Sequence, residues 1–106
     1  MNTARIAACC TATLMLTSAI PASAQTISRG EVIATTCYTC HGTFGVSPST
    51  IPSINDIQPT RMVETLKGFR SGQRASTVMG RHASGYTDEE IVEVANYIGN
   101  LQKKGK

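Results

Sequence analysis

Two cysteines and a histidine lie within five consecutive residues, Cys37-Tyr38-Thr39-Cys40-His41. The thiols are three residues apart, so one helical turn presents both to the two vinyl groups of a porphyrin. The C-x-x-C-H string is the signature of covalent haem attachment. We therefore predict that Cys37 and Cys40 bind one haem c through thioethers and that His41 is the proximal ligand of its iron.

Three other roles of this cysteine pair have weaker support. A thioredoxin-like pair requires a preceding strand and a βαβ pattern, which the sequence lacks. A zinc site requires two further Cys or His ligands, and His82 is the only one that remains outside the N-terminal segment. A disulfide between Cys37 and Cys40 would close a very small loop. Haem attachment is the interpretation that the sequence favours.

The N-terminal segment has the pattern of a secretory signal peptide. Arg5 precedes an apolar run from Ile6 to Ile20, Pro21 follows, and Ala22-Ser23-Ala24 supplies the small side chains that a signal peptidase requires. The run is shorter than the roughly 20 residues that span a membrane, which disfavours the alternative of an anchor and predicts no stable membrane insertion.

We therefore predict a signal peptide over residues 1–24, a haem-binding domain over residues 25–106 and a location in the periplasm. Cys9 and Cys10 would leave with the signal peptide. A domain of this size buries a modest core and often needs a cofactor to stabilise it.

Helix signals occur in three places, and no segment alternates as a β-strand does. Ser28 and Glu31 form a capping box, which predicts a helix from about Arg29 to Thr36. Pro59 suits the first turn of a second helix that Gly72 ends. The apolar positions available for burial are Val32, Ile33 and Ala34 in the first helix and Met62, Val63, Leu66 and Phe69 in the second.

A second capping box, Thr87 to Glu90, opens the last helix. Its apolar residues recur at helical spacing: Ile91, Val94, Ala95, Ile98 and Leu101. The fold class is therefore all-α, with three main helices and two loops over residues 42–55 and 73–85. Loops this long indicate that the chain wraps a cofactor.

Three side chains are candidates for the distal iron ligand. Met62 belongs to the apolar stripe of the second helix, where core packing explains it. Met79 lies in a polar loop, where no packing role explains a methionine, and a thioether sulfur raises the reduction potential as electron transfer requires. His82 would give a bis-histidine site. We predict Met79 and leave His82 and an open sixth position as alternatives.

Metal-bound imidazoles normally donate their second ring N–H to a backbone carbonyl. Pro52, in Ile51-Pro52-Ser53-Ile54, is the predicted acceptor from His41, and Pro48 is the second candidate. The alternative is that both prolines only stiffen the loop.

Taken together, these segments resemble class I cytochrome c over residues 25–106. The resemblance is closest to the cytochrome subunit of flavocytochrome c sulfide dehydrogenase. The stretches that carry it are Cys40-His41-Gly42-Thr43, Ile51-Pro52-Ser53-Ile54, Phe69-Arg70-Ser71-Gly72, Val78-Met79-Gly80-Arg81 and Gly85-Tyr86-Thr87-Asp88-Glu89-Glu90-Ile91.

The class I fold implies that Gly30 on the first helix packs against Tyr97 on the last. One departure concerns the loop after His41. It usually carries an acidic residue before the glycine, whereas this chain has Phe44 before Gly45, so the length and path of this loop stay open.

The resemblance implies a single-electron carrier that is not itself an enzyme. A flavoprotein partner containing FAD would oxidise sulfide, and this protein would pass the electrons to other redox proteins such as soluble cytochromes. Two alternatives stay open. One is a free-standing cytochrome c shuttle between respiratory complexes, and the other is a haem protein that binds a gas or peroxide at a labile sixth position.

The charge pattern excludes one class of partner and suggests another. The net charge is +3, and no basic run with interleaved aromatic residues indicates nucleic acid binding. Basic residues cluster in the middle of the chain, at Arg61, Lys67, Arg70, Arg74 and Arg81. They form either a basic rim that steers a partner or an ordinary solvated surface.

Overall fold

A computed structural model describes residues 24–104 of the chain. The α-helices are α1, Arg29–His41; α2, Pro59–Ser71; α3, Met79–Ala83; and α4, Asp88–Lys104. A 3-10 turn, Thr43–Gly45, follows α1. No β-strand occurs in these residues, which confirms the all-α class. The predicted signal peptide lies outside the described residues except for Ala24.

Helix α1 begins where the sequence predicts, because Ser28 Oγ accepts a 3.1 Å hydrogen bond from the backbone N–H of Glu31. The predicted end at Thr36 was wrong, since the helix continues to His41. The hydroxyls of Thr35 and Thr36 donate back to the carbonyls of the preceding turn, so these β-branched residues fit within the helix. The attachment motif is therefore helical throughout.

The core forms where α1 and α2 pack against α4. Its buried side chains are Ile33, Ala34, Met62, Val94, Ala95 and Ile98. The burial expected of Val32 was wrong, because this side chain is 47% exposed. Leu101, at the end of the apolar stripe of α4, is half-buried.

Helices α1 and α4 approach closely at a glycine. A Cβ atom on Gly30 would lie 2.4 Å from the carbonyl oxygen of Glu93 and 3.2 Å from Cβ of Tyr97. Only a residue without a side chain permits this backbone separation. The contact between Gly30 and Tyr97 that the resemblance implied is therefore present.

Helix α2 has the predicted boundaries. Pro59 occupies the first turn, and Gly72 ends the helix in the left-handed conformation with φ of 77°. The proline ring also packs against α4 at Gly99, where a Cβ would lie 2.6 Å from Cγ of Pro59. Two features of the sequence thus fix both the start of α2 and its contact with α4.

The segment after α2 differs from the prediction. Residues 73–85 were expected to be a loop, but Met79–Ala83 form the short helix α3, which packs against α2. Ser76 Oγ accepts a 2.9 Å hydrogen bond from the N–H of Gly80 and so stabilises its first turn. A helix of five residues is too short to show the repeating spacing of apolar residues from which a helix is predicted.

Polar bonds connect the segment between α3 and α4, and the first residue of α4, to the first two helices. Arg70 donates to the carbonyl of Tyr86 at 3.0 Å and also pairs with Asp88. Lys67 reaches the same carboxylate at 2.6 Å. The hydroxyls of Thr36 and Tyr86 lie 3.1 Å apart. The chain that directly follows α3 is therefore attached to both α1 and α2.

Candidate haem site

The last turn of α1 gathers the three residues of the attachment motif. Because the motif is helical, Cys37, Cys40 and His41 have the spacings i, i+3 and i+4, which lie on one face of a helix. Cys37 is half-buried and Cys40 is exposed, and both thiols are free. Burial raises the pKa of the Cys37 thiol. Two free thiols beside an imidazole match the covalent attachment of a porphyrin.

The imidazole of His41 has a defined orientation. Its Nδ1 lies 2.6 Å from the carbonyl oxygen of Pro52. A carbonyl can only accept a hydrogen bond, so Nδ1 is the donor, and in the neutral imidazole Nε2 then has the lone pair that can bind a metal ion. The contact joins the two residues paired in the sequence analysis, and Nε2 is the atom available for iron.

The loop between His41 and Pro52 turns sharply directly after the helix. Gly42 and Gly45 have φ of 83° and 77°, and Phe44 between them also adopts a left-handed conformation, with φ of 54°. The ring of Phe44 packs edge-on against Tyr38, with ring centroids 6.0 Å apart. The residue that departs from the usual loop sequence thus sits in a tight 3-10 turn.

Met79 is the first residue of α3 and is half-buried. Helix α3 packs against α2, whereas no Cα atom of α3 lies within 8 Å of one in α1. The helix carrying His41 and the helix carrying Met79 are therefore not packed directly against each other.

The two other candidate ligands have different surroundings. Met62 is 5% exposed and belongs to the core cluster, as its place in the apolar stripe predicted. His82 is exposed on α3, three residues after Met79. No group of three or more His, Cys, Asp or Glu side chains able to hold a metal ion occurs in the described part of the chain.

Several large apolar side chains are exposed in the two loops that carry the candidate site. Val46 and Ile51, in the loop that supplies Pro52, are 55% and 39% exposed, and Val78, next to Met79, is 56% exposed. These exposed side chains lie in the segments that supply Pro52 and Met79, where they are available to contact an apolar ligand. A porphyrin is a large apolar ligand, so the residues present fit this group.

The basic side chains differ in their surroundings. Lys67 and Arg70 pair with Asp88, and these bonds lower the pKa of that carboxyl to about 2. Arg74 lies over the ring of Phe69, 5.1 Å from its centroid. Two of the five basic residues thus share one carboxylate, so a basic rim made of all five would overestimate the positive charge available to a partner.

Sequence reasoning missed the residues that position the two loops. The backbone N–H of Ser47 donates to Ser53 Oγ at 2.9 Å, and nothing in the sequence marks this pair among the loop hydroxyls. The bond from Arg70 to Tyr86 was also missed, because it joins residues 16 positions apart through a backbone atom. Both arise from tertiary structure.

Comparison with known proteins matches this architecture to a family. Residues 27–102 match the sequence profile of the cytochrome c family, described as Cytochrome c. The chain belongs to the cytochrome c family. It is 54% identical over 79 residues to the cytochrome subunit of sulfide dehydrogenase from Chlorobaculum tepidum, a match that covers 74% of this chain and 72% of that protein.

Membership of the cytochrome c family and the motif at residues 37–41 both indicate covalently bound haem. The protein is a class I c-type cytochrome, similar to the sulfide dehydrogenase subunit, and membership implies covalent haem c and electron transfer. No helix among the described residues of this cytochrome has the length and apolar character needed to cross a membrane.

Proposed function

We propose that this cytochrome is a periplasmic single-electron carrier with one haem c, bound through Cys37 and Cys40. His41 would supply the proximal ligand through Nε2 and Met79 the distal ligand. The observation that carries the proposal is the 2.6 Å contact between His41 Nδ1 and the Pro52 carbonyl, because Nδ1–H donates to this oxygen and Nε2 is left as the nitrogen that can bind iron.

The chain's own residues would bind, orient and shield the cofactor. When bound, haem iron supplies reversible one-electron oxidation and reduction. Thioether bonds to Cys37 and Cys40 would hold the ring, and the exposed apolar side chains of Val46, Ile51 and Val78 would be available to pack on it and exclude water. Electron transfer of this kind requires no acid, base or nucleophile from the chain. The protein would therefore transfer electrons without catalysing a reaction on its own.

The proposed partner is a flavoprotein. The relative from Chlorobaculum tepidum is by name the cytochrome subunit of a sulfide dehydrogenase, and 54% identity supports the same role here. An FAD-containing subunit would oxidise sulfide and deliver electrons singly to this protein, which would pass them to soluble cytochromes. The signal peptide predicted over residues 1–24, followed by the domain over residues 25–106, supports delivery to the periplasm.

The distal ligand is tested by replacing Met79 with alanine in the oxidised holoprotein. We expect loss of the near-infrared absorption band of methionine sulfur bound to ferric haem and a lower reduction potential. Met62→Leu is the matched control, because Met62 is a buried core methionine, and this variant should keep the band. A band that survives in Met79→Ala would exclude this ligand assignment.

The partner is tested by purifying the protein from native periplasm under mild conditions. We expect it to elute in gel filtration with a flavin-containing protein and to be reduced when sulfide is added to the complex. Elution as a monomer without flavin, and no reduction by sulfide, would favour the free-standing shuttle. Rapid binding of carbon monoxide to the reduced protein, without the near-infrared band, would favour the gas-binding alternative.

A further inference from the structure

The carbonyl of Pro52 that contacts His41 belongs to the peptide bond between Pro52 and Ser53. The orientation of this peptide plane depends on the torsions of the two residues that flank it. The pyrrolidine ring of Pro52 fixes its own φ near about −65°. The ring leaves ψ of Pro52 free, so the plane is set by ψ of Pro52 and φ of Ser53, and the bonds made by the residues after Pro52 decide where the carbonyl points.

Hydrogen bonds at three consecutive residues, 53–55, anchor the backbone at that point. Ser53 Oγ accepts a 2.9 Å hydrogen bond from the backbone N–H of Ser47. The N–H of Ile54 donates to the carbonyl of Gly45 at 2.8 Å, and the N–H of Asn55 approaches the same oxygen at 3.3 Å. The segment that follows Pro52 is thus attached to the residues that follow His41.

The attachment points are themselves fixed to α1. The N–H of Gly45 donates to the carbonyl of Gly42 at 2.8 Å, and a Cβ on Gly42 would lie 2.0 Å from the carbonyl oxygen of Val46. Gly45 is buried, and a Cβ there would lie 2.9 Å from the side chain of Ile54. Two hydrogen bonds therefore close the loop after His41. One joins Ser47 to Ser53, and the other joins the Pro52 carbonyl to His41 Nδ1.

We propose that Ser53 is a positioning residue for His41. Its hydroxyl, by accepting from the Ser47 N–H, holds the Pro52 carbonyl against the imidazole and so controls how strongly His41 donates electron density to iron. The inference rests on the proposed function, since it requires His41 to bind iron through Nε2. Ser53 does not touch the cofactor site directly in this assignment and acts through Pro52.

The test uses the reduced holoprotein labelled with nitrogen-15 histidine and compares the parent with Ser53→Ala. We expect the His41 Nδ1–H to exchange with solvent about fivefold faster in the variant, which corresponds to the net free energy of one hydrogen bond, about 1 kcal/mol. We also expect a higher reduction potential, because a weaker hydrogen bond makes the imidazole a poorer donor to ferric iron.

Two variants separate this role from a general effect of mutating the loop. Ser53→Thr keeps the hydroxyl and should restore the parent exchange rate and potential. Ser49→Ala removes an exposed hydroxyl of the same loop that makes no hydrogen bond among the described residues, and it should match the parent. Because Ser53 is exposed, its replacement leaves the core intact.

The outcomes distinguish the inference from the function on which it depends. If the parent His41 resonances carry the ring-current shift of a haem ligand but Ser53→Ala changes neither exchange nor potential, the role of Ser53 is excluded and the proposed function stands. If the parent resonances lack that shift, His41 is not an iron ligand, and both proposals are overturned.

Discussion

Arg70 Nη1 donates a 3.0 Å hydrogen bond to the carbonyl oxygen of Tyr86. This bond connects α2 to the segment that directly follows α3, the short helix that begins with Met79. Arg70→Ala should therefore loosen that segment and lower the free energy of unfolding by about 1 to 3 kcal/mol. With Met79 as the proposed ligand, the variant should also lose the bond from its sulfur to iron at a lower temperature. The measurement is the near-infrared band of the oxidised protein, followed during heating.

Arg61→Ala is the control for this prediction. Arg61 is an exposed arginine of the same helix that has no ion pair among the described residues, so its removal should leave the band and the stability nearly unchanged. Equal thermal sensitivity of the two variants would contradict a specific role for Arg70.

The carboxylate of Asp88 makes stability depend on pH in acid. Hydrogen bonds from Lys67 and then Arg70 lower its pKa from 3.8 to about 2. A carboxyl whose pKa is lowered in the folded state contributes stability above its unfolded pKa, and this contribution is lost as pH falls through the folded value. We expect the free energy of unfolding to decline between pH 3.8 and about 2.

Asp88→Asn should show a shallower decline over the same interval, measured by denaturant unfolding at a series of pH values. Glu89→Gln removes one negative charge from the same helical turn, but Glu89 has no ion pair among the described residues. It should retain the parent slope. A parent-like slope in Asp88→Asn would place the acid sensitivity at another group.

Gly30→Ala should destabilise the protein more than an alanine at any ordinary helical position. A Cβ there would lie 2.4 Å from the Glu93 carbonyl, so α1 and α4 must separate. We expect a loss of about 1 to 3 kcal/mol in the free energy of unfolding. Gly68→Ala provides the contrast, because its Cβ would make only a 3.4 Å contact, and alanine there should stabilise α2 by up to about 1 kcal/mol.

The hydroxyl of Tyr38 is buried and has no hydrogen-bond partner among the described residues. Burial also raises the pKa of this phenol to about 12. Removing such a hydroxyl costs little, so Tyr38→Phe should leave stability unchanged or raise it by up to about 1 kcal/mol. Tyr86→Phe loses the contact with Thr36 and should lower stability by about 1 kcal/mol. Greater destabilisation by Tyr38→Phe than by Tyr86→Phe would contradict this account of the hydroxyl.

Local signals in the sequence located most of the fold. Thr87 and Glu90 exchange both bonds of a capping box, at 3.2 and 3.1 Å, and Gly72 ends α2 in the left-handed conformation that favours glycine. These features depend on neighbours within four residues. The same holds for the attachment motif, whose chemistry is contained in five consecutive residues.

Features that depend on distant contacts could not be predicted. Helix α3 has no side-chain cap at Val78 and too few residues to show a period. Asp88 pairs with Lys67 and Arg70, which lie 21 and 18 residues away in the chain. The sequence alone therefore did not show that two of the five clustered basic residues are paired with an acid. The burial assigned to Val32 failed because α4 covers the neighbouring face of α1, on which Ile33 and Ala34 lie.

Among the helices, α3 has Cα atoms within 8 Å of α2 alone. Detaching α3 would uncover the surface of a single neighbour, while the packing of α1 against α4 stayed intact. The free energy of that local opening is therefore only a part of the global free energy of unfolding. With Met79 as the proposed ligand, its bond to iron is expected to open through this local motion more often than the whole protein unfolds.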